Sequence, residues 1–100
     1  MQPSFTFTAP AWISAGDDGP VWWFVTVPPD ESDALDELPL GKGGFGSIKV
    51  SAEVGATKWT TSLFPSDKHK AFILPLKAPV RKAEGIVEGA PITVTVTPLG

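Results

Sequence analysis

The sequence predicts a mainly β fold, a small six-stranded barrel with one short helix and one helical turn. Three observations carry that expectation. Apolar and polar residues alternate with a period of two in segment after segment, as in a strand with one face in a core. Glycine, proline and aspartate cluster between those segments, where the chain must reverse. With 100 residues, 42% hydrophobic and 19% charged, the chain suits one globular domain over 1–100 rather than a disordered segment.

Phe5, Phe7 and Ala9 alternate with Ser4, Thr6 and Thr8, so residues 4–9 form the first strand. The turn formers Ala15-Gly16-Asp17-Asp18-Gly19-Pro20 then mark a reversal. Residues 21–27, Val-Trp-Trp-Phe-Val-Thr-Val, are β-branched and aromatic throughout and make the second strand. Both of its faces are largely apolar (Val21, Trp23, Val25, Val27 on one, Trp22, Phe24, Thr26 on the other), so something should cover each of them.

Pro28-Pro29 ends that strand. The run from Asp30 to Leu38 sets capping residues and acids ahead of Leu35 and Leu38 at i, i+3 spacing, which predicts a short helix stopped by Pro39. Gly41-Lys42-Gly43-Gly44 is a loop. From Phe45 to Val54, Ile48, Val50, Ala52 and Val54 point one way and Ser47, Lys49, Ser51 and Glu53 the other. A tight turn at Gly55-Ala56 joins this strand to 57–64, where Thr57, Trp59, Thr61 and Leu63 oppose Lys58, Thr60, Ser62 and Phe64.

After a turn at Pro65-Ser66-Asp67-Lys68, residues 71–77 set Phe72, Leu74 and Leu76 against Ala71, Ile73, Pro75 and Lys77. Pro75 cannot donate to a ladder, which predicts an edge or a bulge there. The segment 79–85 has proline at a helix start and glycine just past its end, a single helical turn. Ile92, Val94 and Val96, alternating with Thr93, Thr95 and Thr97, form the last strand. Six strands with short connections hide their edges most simply by closing into a barrel, with a two-sheet sandwich as the competing architecture.

The chain has no cysteine and one histidine, His69. Disulfides, thiolate chemistry and zinc sites built on several imidazoles are therefore excluded, and neither a metal nor a cofactor is expected. Met1 to Phe5 hold no basic cluster and no segment approaches the length of a membrane span, so a cytoplasmic address is the expectation. The net charge of −3 is unevenly divided: residues 1–50 hold seven acids and two bases, residues 51–100 four acids and six bases. The negative total makes nucleic acid an unfavoured partner.

Several stretches taken together resemble a known family: Trp23-Phe24-Val25-Thr26-Val27-Pro28, Gly46-Ser47-Ile48-Lys49-Val50, Trp59 to Pro65, Leu74 to Gly85, and Gly89 before a Val/Thr strand. The order is similar to that of a bacterial family of domains of unknown function, the one numbered nineteen-oh-five. The likeness spans nearly the whole chain and is most specific over 77–89. It implies a small, partly split β-barrel, in some members joined to a second domain associated with bacteriocin protection. Ala90 stands where the family usually has aspartate after the glycine. The resemblance names no reaction, and a fold does not supply one.

The basic group Lys77, Arg81 and Lys82, preceded by Lys68 and Lys70, is the candidate functional surface. Free N–H groups at the start of the 79–84 turn, together with the Arg81 guanidinium, would attract a small anionic ligand. The plainer reading is a solvated face whose Arg81 or Lys82 pairs with Glu84, Glu88 or the acids at 30–37. Trp59 and Phe64 lie near these cations in sequence and are candidates for stacking a base, although Trp59 shares its face with Leu63 and so belongs more simply to the core. Trp22 and Phe24, on the second apolar face of their strand, are the candidate homodimer interface.

Other patterns carry less. Ser62, Asp67 and His69 are the residue types of a hydrolytic triad without the spacing of a nucleophile elbow, and local hydrogen bonds account for them better. The acids at 30–37 lack the ligand spacing of a calcium loop, and the glycines at 41–46 lack the order of a phosphate loop and precede a strand. The expected function is accordingly a noncatalytic binding or interaction module. A nucleic-acid-associated regulator resembling split-barrel transcription factors is the alternative, and an enzyme ranks third.

Overall fold

The computed structural model describes residues 3–14, 21–38 and 46–99. Six antiparallel strands close into a barrel in the order β1-β2-β5-β4-β3-β6: β1 Phe5–Ser14, β2 Trp22–Thr26, β3 Ile48–Val54, β4 Thr57–Ser66, β5 Ala71–Pro75 and β6 Pro91–Pro98. Two short helices, α1 Pro29–Glu37 and α2 Ala78–Glu84, complete the fold. The expected architecture is thus the observed one. The reversal at 15–20, the stop at Pro39, the loop at 41–44 and the strand start at Phe45 lie outside the described residues.

Two strands each change partner along their length, and this divides the barrel into two sheets. β1 pairs with β6 from Phe5 to Pro10 and with β2 from Ala11 to Ser14. β4 pairs with β3 from Thr57 to Leu63 and with β5 from Phe64 to Ser66. A proline sits at or beside each change: Pro10 is the last residue paired with β6, and Pro65 is the second paired with β5. That is why both strands outrun their expected ends at Ala9 and Phe64: proline marks a change of partner here, not a stop.

Pro75 meets the expectation of a sheet edge, because β4 has already parted from β5 at Ile73. β5 lies between β2 and β4, and Pro75 is its last residue, paired with Phe24 alone. The next residue, Leu76, donates its N–H to Trp23 O at 2.8 Å, so the chain leaves the sheet without losing that contact.

The alternation places the core as expected. Val25, Val27, Val50, Ala52, Leu63, Leu74, Val94 and Val96 are all fully buried. Along the outside of the β1–β6 pair, Ser4, Thr6 and Thr8 share hydroxyl hydrogen bonds of 2.7–2.9 Å with Thr97, Thr95 and Thr93.

The first helix differs from expectation at its start. It begins at Pro29, with Pro28 as the preceding cap residue and no side-chain cap, because proline needs no N–H partner in the first turn. Asp30 and Glu31 therefore lie in the first turn, where the helix dipole favours them. Ser32 lies inside the helix and is buried: it donates to Val27 O at 3.0 Å and accepts from the Phe72 N–H at 3.1 Å, joining the end of β2 to β5. Leu35, one turn on, is fully buried.

Candidate functional site

β2, β5 and β4 lie side by side, and their period-2 alternation decides what each shows to solvent. Val25, Phe72, Leu74 and Leu63 point into the barrel, so Trp22, Phe24, Ile73, Ser62 and Phe64 point out. These outward residues, the start of α2, and Trp23, Thr61 and Leu76 of the inward alternation line a groove of about 860 Å³. Cross-strand registers of Phe24 with Pro75 and of Phe64 with Ile73 build its apolar floor. Trp22, 57% exposed, and Phe64, 43% exposed, stand at its two sides.

The groove opens where the barrel is split. β5 stops pairing with β4 at Ile73, and from Thr57 to Leu63 β4 has β3 as its one ladder partner among the described strands. α2 packs beside that stretch. Thr57 Oγ1 donates to the Glu84 carboxylate, tying the helix to the β3–β4 hairpin. The helix spans seven residues, nearly two turns rather than the single turn expected, and ends at Gly85 in the left-handed region at φ 60°.

α2 presents Arg81 to the groove. The Arg81 Nε–H donates to Leu76 O at 3.1 Å, and the guanidinium lies over the Trp23 ring, 4.8 Å from its centroid. Trp23, on the opposite face of β2 from Trp22, packs against the core and so gives that cation a fixed platform. Lys77, exposed, lines the groove next to Arg81. Among the described residues of the lining there is no carboxylate.

The basic group of the sequence is therefore divided. Arg81 and Lys77 reach the groove; Lys82 is exposed and does not line it. Lys70 borders a separate recess of about 200 Å³ with Asp33, Asp36 and Asp67. The helix start contributes less than expected, because the N–H groups of Val80 and Arg81 both bond to Lys77 O, at 3.0 and 3.1 Å, and Pro79 has none. Of the acids considered as partners of Arg81 or Lys82 (Glu84, Glu88 and those at 30–37), Glu84 accepts a hydrogen bond from Thr57 Oγ1.

Trp59 and Phe64 lie on opposite faces of β4. Trp59 is half-buried against the core, and its Nε1 is buried with no hydrogen-bond partner among the described residues. Ser62 is in the groove, whereas His69 shares a 3.0 Å hydrogen bond between Nδ1 and Ser66 Oγ. The His69 ring stacks on Trp12 at 4.7 Å, and Trp12 in turn contacts Phe24 at 5.0 Å while its Nε1 donates to Thr26 Oγ1. Ser62, Asp67 and His69 are thus not brought together as a triad.

Phe64, a stacking candidate from sequence, is in the groove; Ile73 and Pro75 beside it, and Trp23 as the seat of Arg81, were not among the candidate site residues. A signal for Ile73 and Pro75 did exist, since the outward positions of neighbouring strands are apolar where polar residues are the rule. Trp23 gave none.

Among the described residues no helix is long and apolar enough to cross a membrane, and no three His, Cys, Asp or Glu side chains gather to hold a metal. Residues 7–96 match the model of a family described as a domain of unknown function, DUF1905. No curated protein matches the chain.

Proposed function

The chain belongs to the DUF1905 family, and with no function attached to that family we propose, from the geometry, that it is a noncatalytic binding module holding an anion at Arg81 and Lys77. The observation that carries this reading is the posture of Arg81. Its Nε–H is held by Leu76 O and its plane by Trp23, so the remaining guanidinium donors are oriented before any ligand arrives. A planar fork fixed in this way suits a carboxylate or phosphate, and little side-chain entropy remains to be lost on binding.

A second reading places another copy of the chain on Trp22 and Phe24, and the exposure of Val21, Trp22 and Phe64 favours an apolar contact there. Charge weighs against it. A two-fold contact across the groove would bring Arg81 and Lys77 of both copies together, with no acid among the described lining residues to balance them. A nucleic-acid role has less support still, since Lys70 lies in a different recess from Arg81 and Lys77 and the net charge is −3.

Thermal unfolding in a panel of phosphate, sulfate and organic acid salts, matched in ionic strength with sodium chloride, tests the proposal. A ligand bound to the folded state raises Tm by mass action. At least one anion should do so in the parent and not in Arg81→Gln. The reading fails if none stabilises the parent beyond chloride, and sedimentation at high concentration decides the dimer.

A further inference from the structure

Resting on that reading, we propose that the anion is one end of a flat aromatic acid, whose ring lies in the groove between Trp22 and Phe64 and whose carboxylate or phosphate meets Arg81. Size is the first argument. A groove of about 860 Å³ lies within the range of sites for small organic molecules and greatly exceeds what an inorganic anion fills.

The distribution of polarity is the second. The cations stand together at the α2 side, hydroxyls of Ser14, Thr61 and Ser62 are dispersed around the lining, and the floor of Phe24, Ile73 and Pro75 is apolar. A ligand matching this has one charged end and an uncharged body. A fully ionic ligand would leave the floor without a partner, and a neutral one would leave Arg81 without one.

Shape is the third. β2 and β4 flank β5, so their outward side chains stand two strand spacings apart across the sheet, roughly 10 Å; along it Phe64 is level with Ile73 and Phe24 with Pro75, and Trp22 lies one outward position beyond Phe24. Between Phe24 on one side and Phe64 on the other, a ring lying over Ile73 and Pro75 meets aromatic faces and edges, and Trp22 extends that wall toward Lys77 for a second ring. A flexible acyl chain covers the same floor but gains no ring contact and loses more conformational freedom.

Isothermal titration calorimetry with five probes tests this: 2-naphthoate, 2-naphthyl phosphate, octanoate, inorganic phosphate and neutral 2-naphthalenemethanol. The expected result is that at least one of the two aryl acids binds ten-fold or more tightly than octanoate, inorganic phosphate and the alcohol. Trp22→Ala and Arg81→Gln should each weaken that binding ten-fold, with circular dichroism reporting the parent fold. Because Trp22 is exposed and outside the core, its variant keeps the proposal testable should Arg81→Gln not fold. The difference between the two aryl acids assigns the headgroup as carboxylate or phosphate.

Octanoate or inorganic phosphate binding as tightly as the aryl acids, with dependence on Arg81, would overturn the aromatic ligand and leave the anion site standing. Binding of the alcohol as tightly as the acids, unaffected by Arg81→Gln, would overturn both. Binding by none of the five would overturn the aromatic acid, and the anion panel above would then decide the broader reading.

Discussion

Thr57 Oγ1 donates a hydrogen bond to the carboxylate of Glu84, so the turn between β3 and β4 holds the last residue of the helix that carries Arg81. Gly55, in the same turn at φ 58°, makes this approach feasible, since a Cβ there would collide with the Glu84 carboxylate. Gly55→Ala combines a conformation that L residues disfavour with that collision and should destabilise the domain by more than about 1 kcal/mol. Thr57→Val, which removes the donor alone at a half-buried site, should cost about 1 kcal/mol. Urea unfolding measures both. Equal stability of Gly55→Ala and the parent would mean that neither the positive φ nor the Glu84 carboxylate restricts this position.

Ser32 offers a sharper test of a buried contact. Its hydroxyl serves Val27 O and the Phe72 N–H at once, and both groups lie inside the fold. Ser32→Ala leaves a donor and an acceptor unpaired away from water and should cost about 1–3 kcal/mol. The urea midpoint should fall with an unchanged m value, because the surface exposed on unfolding stays the same.

Leu35 is the apolar anchor of α1 and is fully buried. Leu35→Ala removes most of a core side chain and leaves a cavity, a loss of about 2–5 kcal/mol. In a domain of 100 residues that corresponds to roughly 4–8 °C in Tm for each kcal/mol lost. A fall of under roughly 4 °C by calorimetry would show that α1 contributes little to the folded state.

The barrel was legible because burial in a strand repeats every two residues: Ile48, Val50, Ala52 and Val54 read as one face and are one face. Element ends were less so. Pro10 and Pro65 resemble strand breakers until the two ladders that meet beside each of them are known, and that pairing is a property of the closed sheet. The site was half legible. Arg81, Lys77, Trp22 and Phe24 were recognised as two unrelated surfaces, a basic patch and an apolar face. Their meeting in one groove depends on β2 and β5 lying side by side and on α2 following β5, which no local pattern encodes.

Arg81, Lys82 and Trp23 separate an organised cation from a diffuse positive charge. If charge alone attracts the anion, Arg81→Gln and Lys82→Gln remove the same amount and should weaken binding equally, each more at low salt than at high. If the held guanidinium matters, Arg81→Gln should cost about 1.5–3 kcal/mol, roughly 10- to 100-fold in Kd, while Lys82→Gln changes it by less than about 2-fold. Arg81→Lys keeps the charge but loses the fork and the flat face over Trp23, and should fall close to Arg81→Gln. Trp23→Leu leaves Arg81 in place without its platform, and an intermediate loss is expected. Titrating all four variants with the tightest anion of the panel, at low and high salt, gives the order; matched losses for Arg81→Gln and Lys82→Gln would show that the posture of Arg81 has no part in binding.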